Sequence, residues 1–165
     1  MQFDGKCVLL VGSGFDLNGR RLGARIDAPG RWDAVVRLNR LYGAPCDVGR
    51  RTEVIFTRWR RWLAWFPEDV REAARDVVVV NEHAGISAEE LALNCCEVGH
   101  DAVSIGVHAA GYLLRRGALV EGIGLGWLGG AFIRQKRYPD GRLDGNMRYN
   151  WRLENEWLAR NVHLL

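Results

Sequence analysis

The run Lys6-Cys7-Val8-Leu9-Leu10-Val11, ended by Gly12-Ser13-Gly14, constrains the fold more than any other stretch. It is short, apolar without alternation, and closed by glycine. That pattern predicts a strand buried on both faces, and such strands open parallel sheets covered by helices on either side. Four further stretches read as strands: 33–39, 52–57, 76–81 and 118–124.

Helix signals fall between them. Pro67-Glu68-Asp69 puts a proline and two acids where a helix begins. Ser87-Ala88-Glu89-Glu90 is a capping box, followed by Leu91, Cys95 and Val98 at helical spacing. From Ser104 onward, Val107, Ala110, Gly111 and Leu114 share one helical face. Trp151, Leu153, Trp157 and Leu158 form a last amphipathic stretch. Strands alternating with helices predict the α/β class: a single Rossmann-like domain over residues 1–165, its mostly parallel sheet flanked by helices.

Composition agrees. The 165 residues suit one domain, and 48% hydrophobic with 26% charged residues is the globular balance rather than the disordered one. No apolar run is long enough to span a membrane, and the first residues lack the layout of a secretory signal. A cytoplasmic protein with no membrane partner is expected. The net charge of +3 does not demand a polyanion. Lys6 and Lys136 are the lysines, so 21 of the 23 basic residues are arginine, whose planar fork suits phosphate. Cys7, Cys46, Cys95 and Cys96 have no zinc-ribbon or CxxC spacing, and are expected as reduced, mostly buried thiols.

The glycine turn is the first candidate site. Glycine lets backbone amides approach an anion, and a following helix N-terminus adds partial positive charge. It is not the dinucleotide fingerprint, because Leu17 stands where GxGxxG needs its third glycine, and no Walker lysine follows.

From Cys7 to Thr52 the chain resembles the large sialylmotif of the eukaryote-type sialyltransferases, glycosyltransferase family 29. Gly12, Leu17, Gly19, Gly23, Ile26 and Asp27 fall in step with that motif. So do Val35, Arg37 and Asn39, then Asp47-Val48-Gly49-Arg50-Arg51-Thr52. A second block, Ser104-Ile105-Gly106-Val107-His108-Ala109, is similar to the start of the small sialylmotif. The stretch 119–125 after it looks like the family's next strand. The third motif, H-x4-E, is best matched by Tyr149 to Glu154, with tyrosine where the family places its general-base histidine. A phenol near pKa 10 is a poor base at neutral pH, whereas an imidazole near 6.5 is well placed. His83, His100, His108 and His163 do not keep the motif's spacing.

The resemblance implies a GT-A-like variant of the Rossmann-like fold. It also implies inverting, metal-independent transfer of a sugar, sialic acid or a related acid sugar, from a CMP-linked donor. CMP-sugar would be a substrate, with no cofactor and no metal, and the acceptor would be a glycan or small molecule. Gly12, Ser13, Gly14, Asn39, Ser104 and Gly106 would bind the nucleotide, Tyr149 would stand at the catalytic position, and Glu154 would support it. Ser13 replaces the family's asparagine, and the small motif lacks the cysteine that in secretory members bridges to the position of Cys7. The alternative is a catalytically degenerate nucleotide- or sugar-nucleotide-binding protein on the same scaffold.

One other segment invites a function. Arg58-Trp59-Arg60-Arg61-Trp62-Leu63-Ala64-Trp65-Phe66 interleaves guanidinium groups with indoles, as single-stranded nucleic-acid sites do. Its spacing also suits an amphipathic helix with Trp62, Trp65 and Phe66 facing the core. The small net charge favours that helix, so nucleic acid is not expected as a partner. Arg137-Tyr138-Pro139-Asp140 reads as a turn.

Overall fold

The structure, a computed structural model, describes residues 2–12, 17, 19–41, 43–125 and 150–165. Six parallel strands form one sheet in the order β4-β3-β2-β1-β5-β6. They are β1 (Cys7–Val11), β2 (Ala34–Leu38), β3 (Val54–Thr57), β4 (Asp76–Val79), β5 (Leu119–Ile123) and β6 (His163–Leu164). The α/β Rossmann-like class expected from the sequence is therefore observed. β1 sits at the centre, and the uninterrupted apolar run is explained by burial on both of its faces. Val8 and Leu10 join the core on one side, Leu9 and Val11 the core on the other.

The first face is covered by α4 (Ala88–Val98), α5 (Ile105–Leu114) and α6 (Trp151–Asn161). Ser87 caps α4 through both bonds of the capping box, as its sequence predicts. From Gly106 to Leu113 every residue of α5 is buried, because the helix is packed against the sheet, α4 and α6 at once. Asn94 of α4 enters this layer where Gly111 has no side chain. A Cβ at Gly111 would overlap the Asn94 amide.

Two short helices serve the opposite face: α1 (Gly23–Asp27) and α2 (Pro45–Val48). Neither shows a pattern in the sequence, since five and four residues are too few to show a period. They pack so closely that a Cβ on Gly23 would overlap the carbonyl oxygen of Pro45. Beside them lies a buried guanidinium. Arg37 of β2 is 1% exposed, and its Nε donates to Arg51 O (3.0 Å) and Thr52 Oγ1 (2.9 Å), its Nη2 to Val48 O (2.8 Å). Burial lowers its pKa to about 10, opposed by the charges of Asp27 and Glu53, so it stays cationic at neutral pH. The Asp27 carboxylate accepts from the backbone N–H groups of Arg50 and Arg51 (2.7–3.0 Å).

Three expectations need correction. The Arg–Trp segment is a 3₁₀ turn, Arg60–Trp65, that buries none of its residues; α3 (Glu68–Ala73) follows it. Phe66 alone of the three expected aromatic residues reaches the core, with Ile55 and Val70. All four cysteines are free thiols, but Cys46 and Cys96 are exposed and Cys7 and Cys95 half-buried. The short β6 has no strand pattern of its own in the sequence; its two residues pair with β5, and Leu164 packs against the core. No helix among the described residues is long and apolar enough to cross a membrane.

The α1–α2 contact can be tested directly. Gly23→Ala forces the two helices apart and is expected to cost about 1–3 kcal/mol of stability, the usual range for overpacking. Urea unfolding of the variant with an unchanged midpoint would refute the close approach.

Candidate functional site

In open parallel sheets, ligands settle beyond the C-terminal ends of the strands where the strand order reverses. Here the chain leaves β1 for β2 on one side, while β5 lies on the other. The crevice therefore lies past Gly12 and Gly124. The Gly12 N–H donates to Ile123 O (2.8 Å), tying the end of β1 to β5. A Cβ on Gly12 would overlap the Gly124 carbonyl, and one on Gly124, whose φ is +63°, would run into Leu17. Close approach of the strand ends accounts for both glycines without a ligand. The Gly12 amide is engaged in that pairing. Ser13 and Gly14 lie outside the described residues. The next described α-helix begins only at Gly23 and has five residues.

Asn39 directly follows β2 in the left-handed region, with φ 56°. Asparagine tolerates this conformation better than most residues because its short amide bonds locally. Its N–H donates to Phe56 O (2.9 Å), and its Oδ1 accepts from the Arg58 N–H (3.1 Å). Arg58 in turn donates from Nη2 to Val103 O (3.3 Å). One arginine thus joins the ends of β2 and β3 to the entrance of α5. The sequence offered Arg58 only as part of the Arg–Trp segment; its position one residue past a strand was the signal for this role.

α5 starts at this same edge, because its last turn leads into the beginning of β5. Ser104 is its N-cap but makes no side-chain capping bond. The first-turn amides of a helix have no intrahelical partner and carry the positive end of its dipole. Gly106 lies in that turn. A Cβ there would meet Ser104 Oγ, Leu125 and Leu38 at 3.5–3.9 Å, ordinary contact distances. Packing therefore explains glycine at position 12 but not at 106. A bare backbone at a helix N-terminus is what an anion needs.

Glu154 of α6 stands behind this turn. It is 1% exposed, and its Oε1 accepts from the Ser104 N–H (2.9 Å). Its Oε2 has no hydrogen-bond partner among the described residues. Burial pushes its pKa up, while the hydrogen bonds from Ser104 and the charges of His100 and Arg58 pull the other way. Asn150 caps α6 by accepting from the Leu153 N–H (3.3 Å). Tyr149, the residue before it, lies outside the described residues, as does Asp140.

The histidines divide sharply. His108 is 7% exposed, and its Nδ1 lies 3.0 Å from Asn94 Nδ2. Arg115 Nη2 donates to Asn94 Oδ1 (2.8 Å), which turns the amide NH₂ toward the imidazole. Nδ1 therefore accepts, and the ring proton sits on Nε2. Burial, with the positive charges of Arg58 and Arg115, lowers the His108 pKa to about 4. It is a neutral structural histidine and a weak base. His83 and His163 are exposed. His100 lies in the loop entering α5, with Nδ1 2.7 Å from Ala102 O. Among the described residues, no cluster of three His, Cys, Asp or Glu could hold a metal ion.

Glu154 gives a pH test whose sign is fixed. Its folded pKa exceeds the ordinary 4.5, so the folded state holds a proton that the unfolded chain releases. Its contribution is most favourable below pH 4.5 and is lost as pH rises through the folded pKa. Glu154→Gln keeps an acceptor for Ser104, and its stability should fall less with rising pH than that of the wild type. Glu154→Ala orphans the Ser104 amide, at a cost of about 1–3 kcal/mol. Parallel stability–pH curves for wild type and Glu154→Gln would remove the buried carboxyl from the account.

No protein-family model matches the chain, and no curated protein matches it.

Proposed function

We propose that this chain is a small cytoplasmic glycosyltransferase of GT-A-like type that takes a CMP-linked acid sugar and transfers the sugar with inversion, without a metal. The observation that carries this reading is the N-terminus of α5. Its first-turn amides lie at the strand edge where ligands bind, Ser104 does not cap them, and Gly106 lacks a side chain that packing would tolerate. Asn39, whose NH₂ has no hydrogen-bond partner among the described residues, supplies a second donor from the same edge.

In such a transfer the acceptor hydroxyl oxygen bonds to the anomeric carbon as the bond to the donor phosphate breaks. CMP leaves with the electron pair, and the hydroxyl proton passes to a base. Donors aimed at the leaving phosphate act where negative charge grows in the transition state. Ser104, Gly106 and Asn39 serve that purpose, and in the sequence resemblance Tyr149 stands where the family has its general base. Glu154 is a positioning residue: it holds the Ser104 backbone rather than touching the reacting atoms.

A non-catalytic sugar-nucleotide-binding protein is the second reading, and tyrosine at position 149 favours it. Calorimetry with CMP tests the shared part. Binding is expected, and no heat with CMP while other nucleotides bind would remove the donor assignment. Donor hydrolysis then separates the two readings. Tyr149→His is expected to raise hydrolysis by about 10²–10⁴-fold, the usual yield of general-base catalysis, with CMP affinity within a few-fold of wild type. Full activity in Tyr149→Phe would exclude the phenol and direct the search to His100, since His108 binds its proton too weakly. Wild type and both variants inert, yet all binding CMP, would establish the binder.

A further inference from the structure

A second concavity lies at the other end of α5 from Ser104. Between α4, the last turn of α5 and α6 opens a cleft of about 510 Å³, the size of a small-molecule site. Glu97, Gly111, Leu114, Arg115, Trp157 and Arg160 are among the residues of its walls. The ten residues of α5, about 15 Å of helix, separate it from the proposed nucleotide crevice. The cleft contains a guanidinium whose hydrogen bonding is incomplete. Arg115 Nη2 donates to Asn94 Oδ1 (2.8 Å) and Glu90 O (3.3 Å). Its Nε is buried and has no hydrogen-bond partner among the described residues. The carboxylates paired with it stand off: Glu90 Oε1 is 3.9 Å from Nε and Glu97 Oε1 3.8 Å from Nη1, both beyond hydrogen-bond reach. Glu90 is committed elsewhere, its Oε1 accepting from Arg116 Nη1 (2.6 Å) and its Oε2 from the Ser87 N–H (3.1 Å). Gly111 makes room for this group, since a Cβ there would overlap Asn94 and come within 3.1 Å of Arg115 Nη1. Arg160 uses its Nε on Glu156 O (3.1 Å), and its terminal nitrogens have no partner among the described residues. Basic residues near a helix C-terminus commonly serve its last carbonyls. At the end of α5, however, the carbonyls of Gly111, Leu113 and Leu114 are met by backbone N–H groups, so Arg115 is not needed there.

We propose that this cleft binds a small carboxylic acid with an apolar body, as its anion; the inference is independent of the transferase reading. In the cleft and the pairs that border it, three guanidiniums, Arg115, Arg116 and Arg160, meet two carboxylates, Glu90 and Glu97. A monoanion balances the remaining positive charge. Its carboxylate supplies acceptors to Arg115 Nη1 and to the terminal nitrogens of Arg160, and hydrogen bonds between ionised partners are the strong ones. The body of the acid rests against Leu114 and Trp157 in the same wall. A phosphate dianion suits the cleft less well, because it exceeds the single positive charge and repels Glu97. A cation would be drawn by Glu97 but opposed by two arginines.

The experiment uses the intact chain, with saturation-transfer NMR for affinity and amide chemical shifts for location. The probes are benzoate and 4-methylpentanoate, the neutral benzamide, the cationic benzylamine and inorganic phosphate, each added with and without CMP. Both carboxylates are expected to bind, about tenfold or more tightly than the other three probes, a difference of one charge-assisted hydrogen bond. They should move the amide signals of Gly111, Leu114 and Arg160 and leave that of Gly106 in place. Arg160→Gln should weaken them by about tenfold with an unchanged thermal midpoint, because Arg160 is exposed. Benzamide or benzylamine binding as tightly as benzoate overturns the anion. Phosphate binding as tightly overturns the apolar body. Carboxylates that CMP displaces, or that shift Gly106, belong to the crevice, and that overturns a separate site. Wild type that binds no carboxylate, or binding that ignores Arg160→Gln, also overturns it. Carboxylate binding that maps to the end of α5 and needs Arg160 upholds the cleft, whether or not CMP binds.

Discussion

A cation buried in the sheet holds the architecture of one face together. Arg37 sits in β2, next to the central strand, and gathers the carbonyls of Val48 and Arg51 and the hydroxyl of Thr52. Burying a guanidinium is costly unless its donors are satisfied. Here the loop 48–52 wraps around it and supplies the acceptors. The same loop is then fastened from outside by Asp27, which takes the amides of Arg50 and Arg51, and Gly49 lets that carboxylate approach. Asp47 completes the arrangement by accepting from the Arg21 N–H.

This changes what the sequence resemblance means. Gly23, Asp27, Arg37, Gly49 and Thr52 are among the residues in step with the large sialylmotif. Each is engaged with another part of the same scaffold. Their pattern is a record of how α1, α2 and β2 are locked together, and it says little by itself about a ligand. In the proposed function, weight therefore falls on fewer positions, above all Asn39, Ser104 and Gly106. Gly12 illustrates the distinction. A glycine after a first strand fits either a phosphate or a chain reversal in sequence, and here the neighbouring strand end requires it.

Strands were legible because their signal is local. Five apolar stretches bounded by glycine or polar residues became β1 to β5 with ends shifted by a residue or two. Ser87 and Ser104 marked helix starts for the same reason. Contacts made across the fold were not legible. The two-residue β6 has no pattern of its own, and α1 and α2 owe their form to each other. Trp62 and Trp65 had helical spacing, but spacing does not tell which face meets the core when the turn is 3₁₀ and Phe66 takes the only buried place. The cysteines erred likewise: burial was inferred from residue type, while Cys46 and Cys96 fall on outward positions of helices.

What remains is how the edge of the sheet would hold the proposed site. A binding helix must not shift when charge arrives at its end. Polar contacts hold α5 near its middle and just past its end: Asn94 bridges His108 and Arg115, and Arg116 pairs with Glu90 (2.6 Å). At its first turn Glu154 and Arg58 hold the flanking backbone of Ser104 and Val103. Every one of these groups acts on backbone or on a neighbour inside the fold. The helix end is thereby positioned without consuming the amides of Gly106 and Val107. Such a division of labour, with charged side chains spent on holding the backbone and the backbone left to meet the ligand, is how a helix terminus is preorganised for an anion.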